Sequence, residues 1–280
     1  MRYVAGVDGG GSKTRMVICD EEGRVFADVS GGSTNHQMVG KEETERELKQ
    51  IYREAVDAAG LQAADIALVY LGLAGADMKS DFILLEEVLK RIFGETQTVL
   101  ANDIWPILRS GTPGKWGAAV ICGTGTNSAA VSPTGERHIL RALGYMLGGA
   151  GGGFELAMSA LHWAFRADEG TTERSALTER LPKLLGLSSM EKLMEQMYPE
   201  FKLQDKEMAM ITPLIFELAN EGDRVCQNIL LNSGTELGEM LGGLLRKAGM
   251  EKLEVPIVMG GSVMGGANPL MRDQLTTTIH

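Results

Sequence analysis

The sequence predicts an α/β protein of two domains, each with a mixed β-sheet and flanking helices. Its 280 residues exceed the size at which one hydrophobic core usually keeps growing, which favours two domains. Two segments, at the start and in the middle of the chain, share the pattern strand, glycine turn, strand, turn, strand. Helical patterns dominate the later part, so we predict an architectural duplication with additional helices in the second domain.

The first domain, residues 1–112, opens with three short strand-like runs, YVAGVD, RMVICD and RVFADV, separated by turn sequences. Apolar residues then recur at helical spacing from Lys41 to Ala59, and Gly60 suits a helix C-cap. The run IALVYLGLAG predicts a buried strand, Asp81 to Phe93 a helix, and TQTVLAND another strand. The predicted order is therefore βββαβαβ.

The second domain, residues 113–280, follows GTPGKW, whose glycine and proline residues suit a hinge. A second strand meander is predicted in GAAVICGTGTNSAAVSPTGERHILRA, and helices from Phe154 to Gly249. The run VPIVMGGSVMGG predicts one more strand, and a short final helix is expected around Pro269 to Leu275.

Composition argues against several classes of partner. The net charge is −10 and the basic residues are scattered, so a nucleic-acid partner is not expected. No apolar run approaches the ~20 residues that span a bilayer, and the N-terminus lacks a secretory pattern, so we expect no membrane partner and a cytoplasmic location. Cys19, Cys122 and Cys226 are far apart, which suits reduced thiols; without CxxC or HExxH spacing, a structural zinc site has little support.

Glycine-rich turns follow three predicted strands, in VDGGGSKT, ICGTGTNS and VMGGSVMGG. The first is not a Walker A motif, because Ser12 stands where that motif has its second glycine. Ligands collect at strand ends in α/β sheets, and turns without Cβ atoms let backbone N–H groups approach phosphate. Each turn alone also fits an ordinary tight turn, but the three in this order, with Asp8 in the first, indicate phosphate binding.

The motifs GVDGGGSKT, GGSTNHQMVG, LGLAGAD, VLANDIW, ICGTGTNS and VMGGSV together resemble a known family along essentially the whole chain. This is the N-acetylglucosamine kinase and BadF/BadG/BcrA/BcrD-type ATPase family of the sugar kinase, actin and chaperone ATPase superfamily. The resemblance implies two ribonuclease H-like (actin-like ATPase) domains, each with a mixed sheet of five-stranded type, and an active-site cleft between them. It also implies ATP-dependent phosphorylation of an amino sugar or related carbohydrate, with ATP and Mg²⁺ as cofactors and a homodimer as the assembly.

The resemblance also assigns a nucleotide site. Asp8 would hold a hydrated Mg²⁺ beside the outer phosphates, although an aspartate closing a turn explains this residue alone equally well. Lys13 fits a solvated side chain as well as a phosphate contact. The nucleotide contacts implied in this way are those of Asp8, Gly9, Gly10, Gly11, Ser12, Lys13, Thr14, Gly123, Thr124, Gly125, Gly260, Gly261 and Ser262.

Asp103 is the candidate general base, because it follows the apolar run TVLA at a strand end where a carboxylate is too exposed for core packing. The alternative is a helix N-cap for the segment that begins at Ile104. The Asn35 amide can donate and accept at once, which suits adjacent sugar hydroxyls, whereas His36 fits a backbone hydrogen bond as well as a ligand contact. The substrate contacts implied by the resemblance are those of Asn35, His36, Asp103, Asn127, Gly144 and Tyr145.

The chain departs from the family at two places. The family usually has Gly-Gly-Trp-Gly and then Gly-Asp-Glu-Gly-Ser, but here Leu143 occupies the tryptophan position, and Gly149 and Ala150 the acidic ones. The missing carboxylates predict a different substrate, poor affinity or a degenerate site. The usual last strand and helix are also expected to be missing, which would leave apolar surface exposed or covered by a partner.

Two alternatives to a kinase stay open. One is an ATPase activator of a dehydratase or reductase, which would need cysteine thiolates for an iron–sulfur cluster. The other is a catalytically weakened nucleotide- or sugar-binding protein, which the altered GGAGGG segment permits.

Overall fold

The computed structural model describes residues 2–141 and 143–279. It divides into two compact units, Met1–Ser110 and Gly111–His280. Within the described residues, the first unit contains a five-stranded sheet and the second a four-stranded sheet. Both sheets combine antiparallel and parallel pairs, which confirms the predicted mixed α/β class. No helix in this part of the chain is long and apolar enough to cross a membrane.

The sheet of the first unit consists of β1 (Tyr3–Gly9), β2 (Thr14–Asp20), β3 (Val25–Gly31), β4 (Ile66–Leu73) and β5 (Gln97–Asn102). The first three strands form the predicted antiparallel meander, and β4 and β5 extend the sheet in parallel with β1. Gly9 pairs with Leu73, and Leu73 pairs with Asn102. Three parallel strands therefore end at one edge of the sheet, beside Asp8 and Asp103.

The helices of this segment are α1 (His36–Val39), α2 (Lys41–Ala59), α3 (Lys79–Phe93) and α4 (Ile104–Gly111). Helix α2 has the predicted bounds, because its apolar face packs on the sheet and Gly60 ends it with φ 68°. Helix α3 begins before the predicted start at Asp81. The Asp81 carboxylate accepts a hydrogen bond from the Met78 backbone N–H at 2.7 Å, so it caps the helix from inside its first turn.

The sheet of the second unit consists of β6 (Gly117–Cys122), β7 (Thr126–Val131), β8 (Arg137–Ile139) and β9 (Ile257–Gly260). The first three strands form the second predicted meander, and β9 pairs in parallel with β6. Ile121 pairs with Gly260, so β6 and β9 end at the same edge. The sheet has four strands in the described residues rather than five, because the chain continues after β9 into a helix.

Helices α5 (Gly153–Asp168), α6 (Leu177–Leu184), α7 (Met190–Met197), α8 (Asp205–Asn220), α9 (Arg224–Lys247) and α10 (Leu270–Ile279) complete this unit. The helix-rich region predicted from Phe154 to Gly249 is confirmed, and its buried faces form one core with β6 and β7. Helix α10 extends beyond the predicted end at Leu275. It lies close against α9 at Gly238, where a Cβ atom would meet the Leu275 carbonyl oxygen at 2.9 Å.

Candidate functional site

In the first unit, the turn after β1 is fixed by contacts with two neighbouring loops. The Gly10 N–H donates to the Lys13 carbonyl oxygen at 2.9 Å, which closes the turn. The Ala74 N–H donates to the Gly9 carbonyl oxygen at 2.7 Å, and the Ser33 hydroxyl donates to that of Gly10 at 3.3 Å. Gly9 must be glycine, because a Cβ atom there would overlap the Thr34 side chain and lie 2.5 Å from Leu73 Cδ2.

The side chains of this turn differ in exposure. Asp8, Ser12 and Lys13 are exposed at the sheet edge, as a phosphate or metal contact would require. Desolvation raises the pKa of Asp8 above its ordinary value, while Lys13 and Arg15 oppose the rise.

Thr14 lies at the start of β2 and is fully buried, with its Oγ1 atom 2.8 Å from Thr34 Oγ1. Its contact with phosphate stays a prediction. The observed hydrogen bond gives the hydroxyl a structural role, because it joins β2 to the loop that precedes α1.

Replacing Thr14 with valine is therefore expected to destabilise the protein by about 1–3 kcal/mol, because the Thr34 hydroxyl would be left buried without this partner. Thr14→Ser, which keeps the hydroxyl, is the matched control and should retain most of the stability. Urea denaturation measures both. A larger loss in Thr14→Ser than in Thr14→Val would mean that the methyl group, rather than the hydrogen bond, stabilises this position.

Asp103 lies between β5 and α4 and is half-buried. Its pKa is raised from 3.8 to about 7, first by desolvation and then by the carboxylates of Asp8 and Asp77. Backbone N–H groups of Asp103 and Ile104 partly oppose this rise. The Ile104 N–H also donates to Asn102 Oδ1 at 3.1 Å, so Asn102 shares the role of capping α4.

The two predicted sugar ligands of the first unit, Asn35 and His36, lie at the start of α1. Asn35 is the N-cap of α1, and its Oδ1 atom accepts from the Gln37 N–H at 3.0 Å. The His36 side chain is 7% exposed, and its Nε2 atom lies 3.2 Å from Asp81 Oδ1. For His36, the alternative to a ligand contact was a hydrogen bond to backbone. The contact observed is instead with the Asp81 carboxylate. Within the described residues, His36 Nδ1 is buried without a hydrogen-bond partner.

In the second unit, the turns after β6 and β9 lie together. The Cys122 carbonyl oxygen accepts from the N–H groups of Val263 at 3.0 Å and Met264 at 3.2 Å. A Cβ atom on Gly123 would lie 4.0 Å from Ser262 Oγ, and Gly260 pairs with β6. Gly261 adopts φ 95°, a conformation that favours glycine. Two of the three predicted nucleotide turns are thus neighbours at one sheet edge.

The turn at Gly123–Gly125 also contacts the start of α5. The Gly153 N–H donates to the Gly123 carbonyl oxygen at 2.8 Å, and the Phe154 N–H to that of Thr124 at 3.2 Å. The turn therefore lies at the N-terminus of a long helix, where the helix dipole favours negative charge.

The remaining predicted sugar ligands of this unit lie in different environments. Asn127 is buried on β7, and its Oδ1 atom accepts from the Ser128 N–H at 2.8 Å. Gly144 precedes a 3₁₀ turn at Tyr145–Leu147, and Tyr145 is exposed. Gly149 and Ala150 are buried, and a Cβ atom on Gly149 would meet the Gly144 backbone at 3.0 Å. A side chain at position 149 would therefore require the Gly144 backbone to shift by a few tenths of an ångström.

Sequence analysis did not identify four residues that contribute to the site of the first unit: Gln37, Asp77, Asp81 and Asn102. Asn102 Nδ2 donates to Asp77 Oδ1 at 2.8 Å, and the pKa of Asp77 is raised to about 6, mainly by desolvation and also by Asp81. The available signal was positional, because Asp77 ends the recognised motif LGLAGAD and Asn102 directly precedes Asp103 in the motif VLANDIW.

The side chains at this site could supply only part of the coordination shell of a magnesium ion. The described residues contain no group of three or more His, Cys, Asp or Glu side chains that could hold a metal ion. Asp8 is exposed, and its carboxylate contributes to the raised pKa of Asp103, so a cation there would relieve repulsion. Mg²⁺ usually keeps several waters and takes substrate phosphate oxygens, so one protein carboxylate is enough.

Comparisons with known proteins identify the family of the chain. The model of the BadF/BadG/BcrA/BcrD ATPase family matches residues 5–279. The chain is 27% identical over 270 residues to the N-acetylmuramic acid/N-acetylglucosamine kinase of Clostridium acetobutylicum, covering 96% of this chain and 88% of the relative. It is 28% identical over 266 residues to the N-acetyl-D-glucosamine kinase of Dictyostelium discoideum, covering 91% and 83%.

Solved structures share the fold. A ROK family glucokinase from Streptomyces griseus, in complex with glucose and AMPPNP, superposes with a TM-score of 0.58 at 19% identity, covering 99% of this chain and 88% of the other. A structure from Chromobacterium violaceum, provisionally described as an N-acetylglucosamine kinase, has a TM-score of 0.77 at 23% identity, covering 98% and 90%. These neighbours confirm the predicted α/β fold, with two mixed sheets and flanking helices.

Proposed function

The chain belongs to the BadF/BadG/BcrA/BcrD ATPase family, and on that premise we propose that it is an ATP-dependent kinase of an amino sugar. The observation that carries the proposal is Asp103: a half-buried carboxylate at a strand end, with a pKa raised to about 7, in a chain whose curated relatives are named N-acetylglucosamine kinases. A positioned base is most effective when its pKa is near the operating pH.

In the proposed reaction, Asp103 accepts the proton of the acceptor hydroxyl as that oxygen attacks the terminal phosphorus of ATP. The bond from that phosphorus to the bridging oxygen breaks, and ADP leaves. Little covalent chemistry is required of the protein in phosphoryl transfer, so its main tasks are positioning and electrostatic stabilisation. Asp8 would hold hydrated Mg²⁺, which neutralises developing charge on the phosphates when bound. Backbone N–H groups of the turn at Gly9–Ser12 would contact the phosphates from the first unit.

The second unit would contribute the turn at Gly123–Gly125 to the phosphates and the turn at Gly260–Ser262 to the adenosine. Two observations support this assignment: the two turns are joined through the Cys122 carbonyl oxygen, and the first lies at the N-terminus of α5. Anions are favoured at such helix ends.

For the sugar, we propose that Asn35 contacts hydroxyls directly and that His36 holds the loop through Asp81. The His36–Asp81 pair is the support for this division, since each side chain is less than a tenth exposed. Asn127, Gly144 and Tyr145 are the proposed contacts of the second unit. The absence of an acidic residue at position 149 predicts weaker selection among sugar hydroxyls than in relatives that carry one.

The alternative of an ATPase activator of a dehydratase or reductase, which would need thiolate ligands for an iron–sulfur cluster, has less support. The Cys122 thiol is fully buried and donates to the Gly151 carbonyl oxygen at 2.8 Å, and burial raises its pKa. Cys226 is also buried. Thiols in such surroundings are poor candidates for cluster ligands, which must be deprotonated.

The proposal is tested by measuring ADP release with ATP and Mg²⁺ across a panel of N-acetylglucosamine, N-acetylmuramic acid, glucosamine and glucose. We expect release that depends on at least one amino sugar and exceeds its rate with glucose. ADP release that no sugar stimulates would support the ATPase-activator alternative. Nucleotide binding without any ADP release would support a catalytically weakened binding protein.

A further inference from the structure

A side-chain link joins Asp77 to the backbone around Asp103. Asn102 Nδ2 donates to Asp77 Oδ1 at 2.8 Å and approaches the Ala76 carbonyl oxygen at 3.4 Å. These contacts fix the orientation of the Asn102 amide, so that its Oδ1 atom faces the Ile104 N–H at 3.1 Å. Since Asn102 and Ile104 flank Asp103, the Asp77 carboxylate holds the peptide segment from which Asp103 projects.

The loop that carries Asp77 is itself held by Asp81 and Gln37. Asp81 Oδ2 accepts from the backbone N–H groups of Asp77 at 3.2 Å and Met78 at 2.7 Å. Gln37 Nε2 donates to the Gly75 carbonyl oxygen at 3.2 Å and to Asp81 Oδ2 at 3.4 Å. The link from Asp103 therefore continues to α1, next to the proposed sugar ligand Asn35.

Asp77 belongs to a partly desolvated polar network. Burial and the nearby Asp81 carboxylate raise its pKa to about 6. Buried polar networks rigidify when their members are satisfied, so the contacts of Asp77 and Asn102 hold a particular geometry. An asparagine at position 77 could accept the same hydrogen bond from Asn102 without charge, so this geometric role does not depend on ionisation.

We propose that Asp77 is a positioning residue: through Asn102 it fixes the backbone on both sides of Asp103 and so aims the Asp103 carboxylate at the acceptor hydroxyl. The inference rests on the proposed kinase function and extends it to a residue that does not touch the substrate. Misplacement of a reacting group by about 1 Å can cost ~10²-fold in rate, so a loosened link lowers turnover rather than binding.

The test compares Asp77→Ala, which removes the acceptor, with Asp77→Asn, which keeps an oxygen facing Asn102 Nδ2. In steady-state assays we expect Asp77→Ala to lower kcat by roughly 10- to 10²-fold with KM for ATP nearly unchanged, and Asp77→Asn to restore most of it. Asp65→Ala is the control, since Asp65 is exposed and its carboxylate accepts from the Gln62 N–H at 2.7 Å. That control should leave kcat unchanged.

A second variant distinguishes loss of the link from a general loss of folding. Asn102→Ala breaks the same link from the other side, and the double variant with Asp77→Ala should be no slower than the slower single variant, because Asp77 is proposed to act only through Asn102. If kcat is retained in the alanine variants, or lost equally in Asp77→Asn, the positioning role is wrong. Effects on kcat that multiply in the double variant would also overturn it.

Hydrogen exchange separates this inference from the proposed function. The Ile104 amide should exchange faster in Asp77→Ala than in the parent protein or in Asp77→Asn, whether or not a sugar is turned over. Unchanged exchange at Ile104 in Asp77→Ala would contradict the link itself. Hydrogen exchange could show the link in a parent protein that phosphorylates no sugar. In that case the proposed function is wrong, and so is the role of Asp77 in aiming Asp103.

Discussion

Asp103→Asn is expected to lower sugar-dependent ADP release by roughly 10²- to 10⁴-fold, the usual contribution of a positioned acid or base. Asparagine keeps the size of the side chain and most of its hydrogen bonding but cannot accept the proton. ATP affinity should survive, because the proposed nucleotide contacts come from the glycine-rich turns. The measurements are the rate of ADP release and the dissociation constant for ATP.

Asp103→Asn is also expected to be more stable than the parent protein at alkaline pH. The folded-state pKa of Asp103, about 7, lies above the ordinary value of 3.8, so the folded protein binds this proton more tightly than the unfolded chain does. The favourable contribution is fully present below the unfolded pKa and is lost as the pH rises through the folded pKa. Each unit of such a shift corresponds to about 1.4 kcal/mol, so the asparagine variant should gain relative stability over this range.

Melting temperatures at about pH 5.5 and about pH 8.5, without nucleotide or metal, test the sign: the advantage of Asp103→Asn should be larger at the higher pH. The control is Asp57→Asn, a change at an exposed residue of α2. If Asp103→Asn keeps full turnover and shows no pH-dependent stability difference, Asp103 is neither the base nor a desolvated carboxylate, and the capping role remains.

Gly261→Ala is expected to destabilise the protein by about 2–5 kcal/mol, through a positive φ and a steric overlap acting together. The residue has φ 95°, and its new Cβ atom would overlap the Cys122 carbonyl group, with the carbonyl carbon at 2.5 Å and the backbone nitrogen at 2.9 Å. The overlap falls on backbone at the end of β6, which cannot move aside as a flexible side chain does. ATP affinity should fall as well, because the proposed phosphate and adenosine turns meet at this point.

Gly265→Ala provides the matched control in the same segment. The nearest atom to its new Cβ would be the Gly261 carbonyl oxygen at 3.6 Å, an ordinary contact distance. Denaturant unfolding and ATP titration of the two variants give the comparison. Equal, small effects at both positions would show that the backbone at Gly261 is less constrained than its geometry indicates.

Much of the fold followed from local patterns. Helix α2 was predicted with its observed bounds, since an amphipathic run and a terminal glycine act within a few residues. The start of α3 was misplaced because Asp81 looks like an ordinary early helical residue, and its capping contact with Met78 depends on backbone geometry. The end of α10 was also misplaced, because its packing on α9 at Gly238 is a contact between segments distant in sequence.

The candidate site was only partly accessible to sequence analysis. Asp8 and Asp103 stand beside recognisable strand ends, and parallel pairing brings these ends to one edge. The contacts of Asn102 with Asp77 and of His36 with Asp81 join residues that are far apart in sequence. No spacing rule relates such pairs, so the network behind Asp103 could be recognised only once the loops were folded.

³¹P NMR of a reaction with ATP, Mg²⁺ and N-acetylglucosamine shows whether this chain transfers a phosphoryl group from ATP to an amino sugar. We expect a new phosphomonoester resonance that grows in equal amount with ADP and is absent without sugar. Inorganic phosphate released with ADP in place of a sugar phosphate, for N-acetylglucosamine and for the other amino sugars of the panel, would contradict it.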